Sequence, residues 1–318
     1  MAEQHIIDAI ANGQKSADAV LARRKIARAN RAAAIAKHTS PIRFNVQMSG
    51  FAQPAVGFVD TAHQTTGFLI AAGDSWFDYF DRDILEQLKE HYGYTVRSAA
   101  HAGDRIEAMV EHDSQLYKLQ ECLEEVLDQG AVPQAVLISG GGNDIAGKEF
   151  GMLLNSKDSV IAGWNDEMID GLINQRLKAA YTAMLSGVNQ LCKSSSLGKV
   201  LPVLIHGYDY PVPDGRGVLG LWPLPGPWLQ PGFNEKRFGD LQQNTDAMHD
   251  LIDRFNAMLQ TLPQLADFAN VRHVDLRNTL STKLADDAYQ QVWGNELHPN
   301  ENGFPLIADK FATALSNL

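Results

Sequence analysis

The chain has 318 residues, 45% of them hydrophobic, which is enough to bury a sizeable core and excludes disorder as the default state. A formal net charge of −11 argues against nucleic acid as a partner, because holding phosphates requires a concentrated positive surface. No run of about 18 apolar residues occurs, so no membrane span is expected, and the polar start Met1-Ala2-Glu3-Gln4-His5 does not resemble a secretory leader.

Charge is unevenly spread. Residues 1–59 carry eight Lys and Arg against three Asp and Glu, so the acidic excess lies in the rest of the chain. The first segment reads as helical through Ile6, Ile7 and Ile10, with a break at Asn12-Gly13 and an Ala-rich continuation from about Ser16 to Lys37. Its basic run, Arg23-Arg24-Lys25 with Arg28, Arg31 and Lys37, reads as a solvated face or as a surface docking onto acidic residues in preference to a polyanion site. Residues 1–38 are expected to form a helical arm, a candidate for self-association into a homo-oligomer. Residues 39–66, with Pro41, Gly50, Pro54 and Gly57, form a connecting segment.

From residue 67 to 318 the pattern becomes regular. Apolar runs at Gly67–Ala72, Tyr94–Arg97, Ala135–Ile138, Val200–Ile205 and Val271–Asp275 predict five strands. Helical periodicity follows near Ile84–His91, Ile106–Val110, 168–193, 242–261 and 303–316. That alternation predicts an α/β fold, a doubly wound parallel five-stranded sheet covered on both faces, with ligands bound at the carboxyl ends of the strands. The two cysteines, Cys122 and Cys192, lack metal-ligand spacing, so free thiols in a reducing, cytoplasmic setting are expected.

Chemistry-bearing blocks fall where that rule directs. Gly73-Asp74-Ser75-Trp76 follows the first strand, Ala102-Gly103-Asp104 the second and Gly141-Gly142-Asn143-Asp144 the third; Asn295-Glu296-Leu297-His298 follows the fifth. A serine hydroxyl needs a base before it attacks, and a tetrahedral oxyanion needs preorganised donors. Ser75 is the candidate nucleophile and His298 the general base. The candidate oxyanion donors are the N–H groups of Ser75 and Gly103 and the amide of Asn143. Asp74 is expected to cap the following helix.

Taken in order, these four blocks resemble the SGNH hydrolases, also called GDSL esterases and lipases, over about residues 67–316. The resemblance implies a flavodoxin-like three-layer fold, the same four roles, a small-molecule ester substrate and no cofactor or metal. The chain departs from that pattern three residues before His298, where the family usually has Asp and Asn295 stands instead. Three supports for the ring remain open: the Asn295 carbonyl oxygen, another acid such as Glu296 or Asp209, or a backbone carbonyl.

Other motifs fail. Gly142–Glu149 nearly fits a phosphate-binding loop, but Glu149 stands where Ser or Thr must hold magnesium. Phe77 stands where an α/β-hydrolase elbow has its second glycine. A Pro- and aromatic-rich insertion at about 208–240 offers Tyr208 and Trp222, with Trp76, as candidate substrate-binding residues. Carboxylic ester hydrolysis through an acyl-serine is the expected function. Acyl transfer, thioester hydrolysis or noncatalytic binding on the same scaffold are the alternatives.

Overall fold

Five short strands pair into one parallel sheet: β1 (Gly67–Ala72), β2 (Tyr94–Ser98), β3 (Pro133–Ile138), β4 (Val203–His206) and β5 (Val271–Val274), in the order β2-β1-β3-β4-β5. The computed structural model describes residues 2–38, 65–80, 82–111, 114–218 and 225–318. Most of the connecting segment, 39–64, therefore lies outside the described residues. The central strands are continuously apolar because helices cover both faces, and Leu69, Ile70, Val136 and Leu137 are all buried. Burying each such side chain contributes about 1.5–3 kcal/mol.

Around the sheet pack α1 (Ala2–His38), α2 (Ile84–Tyr92), α3 (Gln115–Asp128), α4 (Lys178–Ser194), α5 (Leu241–Thr261) and α6 (Gly303–Ser316). Asp83 starts α2 by accepting from the Glu86 N–H, and Gly93 ends it in the left-handed conformation, φ 71°. The helix expected near Ile106–Val110 is only a 3₁₀ turn at Ala108–Val110. The real helix waits for the Ser114 side chain, which accepts from the Leu116 N–H and starts α3.

The break expected at Asn12-Gly13 is absent, and α1 is continuous. Gly13 is instead a packing residue: a Cβ there would sit 2.0 Å from the Ala183 carbonyl oxygen on α4. The same crossing carries the Ser186 hydroxyl, which donates to the Ile10 carbonyl at 2.9 Å. Farther along α1, Arg24 meets Glu121 at 2.5 Å and Glu124 at 2.7 Å, and Arg28 meets Asp128 at 3.0 Å. Part of the basic run thus docks onto an acidic face of α3. Cys122 and Cys192 are buried and free. No helix among the described residues is long and apolar enough to cross a membrane.

Strand order reverses between β1 and β3, and in sheets of this kind the crevice at that switch point is where ligands bind. Ser75 lies just past β1 and Asn143 just past β3, one on each side of it.

Candidate active site

The end of β1 is held from three directions. The Gln115 amide accepts from the Gly73 N–H at 2.7 Å and donates to the Gly73 carbonyl at 2.7 Å and to an Asp104 carboxylate oxygen at 2.7 Å. Asp74, expected as a helix cap, caps no helix. Its carboxylate accepts from the Trp76 N–H at 3.1 Å, from the Ser139 hydroxyl at 2.6 Å and from the Tyr208 hydroxyl. Asp74 therefore links the ends of β1, β3 and β4 around the turn that presents Ser75. Burial pushes its pKa up, and these hydrogen bonds pull the other way.

On that turn the Ser75 Oγ lies 2.7 Å from His298 Nε2. His298 Nδ1 lies 3.0 Å from the Asn295 side-chain oxygen. That oxygen also accepts from the Leu297 N–H at 2.9 Å and the His298 N–H at 2.9 Å. Two backbone donors can be satisfied only by the carbonyl end of the amide, so they fix its orientation. The nitrogen end donates to the Tyr79 hydroxyl at 3.0 Å. A carbonyl facing Nδ1 requires the proton on Nδ1, which leaves the Nε2 lone pair toward Ser75. The Tyr79 ring stacks on the imidazole at 4.3 Å, and the Trp228 ring meets it edge-on at 5.7 Å. Burial holds His298 far below the ordinary histidine range, at about 3. The ring is thus neutral at pH 7, in the state that can accept a proton.

The two other acids considered for this ring are engaged elsewhere. Glu296 points away and accepts from the N–H groups of Gly215, Trp228, Leu229 and Gln230 at 2.6–2.9 Å. It is wholly buried and fastens the 208–240 insertion to the His298 loop. Asp209 accepts from the N–H groups of Tyr210, Asn278, Thr279 and Leu280, and burial raises it to about 6. Glu296→Gln would turn an NH₂ group toward two of the four donors. Urea unfolding is expected to show a loss of about 2–4 kcal/mol.

Across the crevice, Gly103 has φ 89°, in the left-handed region, and a Cβ there would meet nothing within 4 Å. The demand for glycine is conformational, without steric crowding from the protein. The Asn143 amide donates to the Asp104 carbonyl at 3.0 Å, and an Asp144 carboxylate oxygen accepts from the Ile106 N–H at 3.0 Å. These bonds tie the loops after β2 and β3 together. Among the described residues, neither the Ser75 nor the Gly103 N–H has a partner. Both residues line one cleft of about 420 Å³ with Asn143 and His298. Two free backbone donors and an amide beside a serine suit a developing oxyanion.

Of the candidate substrate residues, Trp76 is 3% exposed and donates from its indole to the Leu297 carbonyl at 2.9 Å, bracing the His298 loop. Tyr208 is buried too, and its hydroxyl accepts from the Gly142 N–H at 3.0 Å while donating to Asp74. Both line a small cavity behind Ser75. Trp222 lies outside the described residues. Trp228, a ring of the aromatic-rich insertion, reaches the cleft beside His298, whereas Tyr79 and Gln115 carry no motif and only their contacts reveal them.

No family profile matches the chain, and no curated protein sequence matches it. Solved structures similar to it include a putative acylhydrolase from Bacteroides fragilis, 14% identical, covering 79% of this chain and 87% of that one, with a TM-score of 0.39. A GDSL-like lipase from Bacteroides thetaiotaomicron is 13% identical, with 79% and 88% coverage and a TM-score of 0.38. An aryl esterase from M. smegmatis is 14% identical, with 79% and 99% coverage and a TM-score of 0.44.

Proposed function

We propose that the chain is a serine ester hydrolase of the SGNH type, cleaving carboxylic esters through an acyl-Ser75 intermediate. The observation that carries this reading is the 2.7 Å contact between Ser75 Oγ and a His298 Nε2 whose tautomer Asn295 fixes. In the first half-reaction His298 Nε2 takes the Ser75 proton as Oγ attacks the ester carbonyl. The oxyanion receives the N–H groups of Ser75 and Gly103 and the Asn143 amide. Collapse of the adduct breaks the bond to the alcohol, which leaves with the proton from Nε2. Water then repeats the sequence on the acyl-enzyme, releasing the acid and restoring Ser75.

Asn295 acts here as a positioning residue. It cannot lend negative charge to the imidazolium, but it supplies the tautomer that general-base chemistry needs. Tyr79 supports it from the other end of the amide and covers the face of the ring.

Rapid mixing with p-nitrophenyl acetate tests this reading. A burst of p-nitrophenolate, about one equivalent per chain, followed by a slower steady state is expected when deacylation limits turnover. Release no faster than in buffer would overturn it.

A further inference from the structure

We infer that the substrate carries its small part on the acyl side: an acyl group of about two to four carbons, esterified to a larger alcohol. This rests on the acyl-Ser75 reading above and adds which half of the ester goes where.

Two compartments meet at Ser75, Asn143, Leu297 and His298. The inner one, about 60 Å³, is walled by apolar side chains that include Leu229, Met248, Leu251 and Phe255. Those four residues are buried, so the compartment ends in the core against α5. The outer one, about 420 Å³, is bounded by Tyr79, Phe80, Val218 and Trp228. Phe80 stands 67% exposed at its rim, on a backbone with φ 46°. A bulky residue in that region is uncommon, and it presents an apolar ring to whatever occupies the cleft.

The order of bond breaking assigns the halves. The alcohol must depart past His298, and water must enter toward the same nitrogen, so both need the roomier compartment. The acyl group stays on Ser75 through both half-reactions, and a narrow recess walled by core side chains suits the part that stays. Size follows from volume: an apolar cavity of about 150 Å³ accommodates benzene, so one of about 60 Å³ accepts only a few carbons. Charge is excluded as well. A carboxylate on the acyl chain would enter a mostly apolar space that has no Lys or Arg among the described residues of its walls, and whose two carboxylates, Asp74 and Asp209, already accept from several donors.

Hexyl acetate and ethyl hexanoate test this assignment, because they are isomers that differ only in which side of the ester is short. With release of acid followed by titration at constant pH, kcat/KM is expected to favour hexyl acetate by about tenfold or more. Met248→Ala and Leu251→Ala lengthen the inner compartment and are expected to narrow that ratio by about tenfold. The wild-type ratio decides the matter even if a variant fails to fold. Equal rates, or a preference for ethyl hexanoate, would overturn the assignment and leave the acyl-serine chemistry standing. Hydrolysis of both isomers no faster than by Ser75→Ala would remove that chemistry and this assignment together.

Discussion

Ser75→Ala is expected to lower kcat for p-nitrophenyl acetate by about 10⁴- to 10⁶-fold, the range seen when a catalytic serine is removed from a serine hydrolase. The proposed attack goes through the Oγ alone, and the neighbouring donors cannot replace a nucleophile. Stability should change little, because Ser75 is half-buried and its hydroxyl has one side-chain partner, His298, at 2.7 Å. Steady-state assay beside thermal unfolding checks both halves of that expectation. A protein that only binds ligands on this scaffold would give the same rate with and without the hydroxyl. A large fall in activity with an unchanged unfolding profile separates the two cases.

Substitutions at Asn295 should have the next largest effect, in opposite directions. In a serine-protease triad, Asp to Asn costs about 10⁴ in turnover because the amide presents its nitrogen and imposes the wrong tautomer. Here the Leu297 and His298 N–H groups turn the oxygen toward Nδ1, so that part of the penalty is absent. What the site lacks is negative charge beside the imidazolium. Asn295→Asp supplies it, and the Tyr79 hydroxyl can rotate to donate to the second carboxylate oxygen, so kcat near pH 8 is expected to rise about 10- to 100-fold. The pH dependence carries its own signature. Burial holds His298 at about 3, so the wild-type rate should stay level from pH 8 to about 5 as far as this group governs it, and fall as pH drops toward 3. A carboxylate at 295 favours the charged ring and raises that pKa, which moves the acid limb to higher pH. Asn295→Ala does the reverse to the rate. It frees Nδ1 from its acceptor and orphans two backbone donors, with an expected loss of about 10²- to 10³-fold in kcat.

Much of this architecture was legible in residue order. The three inner strands are short apolar runs because helices cover both faces of the sheet, the edge strands β2 and β5 mix buried and more exposed residues, and α6 follows its periodicity to the residue. The four chemical blocks were legible because each sits at a strand's carboxyl end. What local sequence misread is tertiary. Gly13 looks like a helix breaker and is a contact point with Ala183, a residue 170 positions away. The start of α3 depends on one serine cap, which the apolar pattern at Ile106–Val110 obscured. Asp74 looks like a cap and instead binds Ser139 and Tyr208 from neighbouring strand ends. Sequence offers three supports for the His298 ring, and only geometry separates them. Glu296 adjoins the loop in sequence yet spends its carboxylate on four N–H groups of the insertion. Tyr79 and Gln115 act through contacts that no spacing rule predicts.

The acyl-enzyme itself gives the most direct test of Ser75 as nucleophile. The protein is mixed with p-nitrophenyl acetate, quenched in acid during the burst and digested, and the acetyl group is located by peptide mass spectrometry. One acetyl group on the peptide containing Ser75, absent after turnover is complete, is the expected result. Turnover that proceeds with no acetylated peptide, or with the acetyl group on another residue, would contradict it.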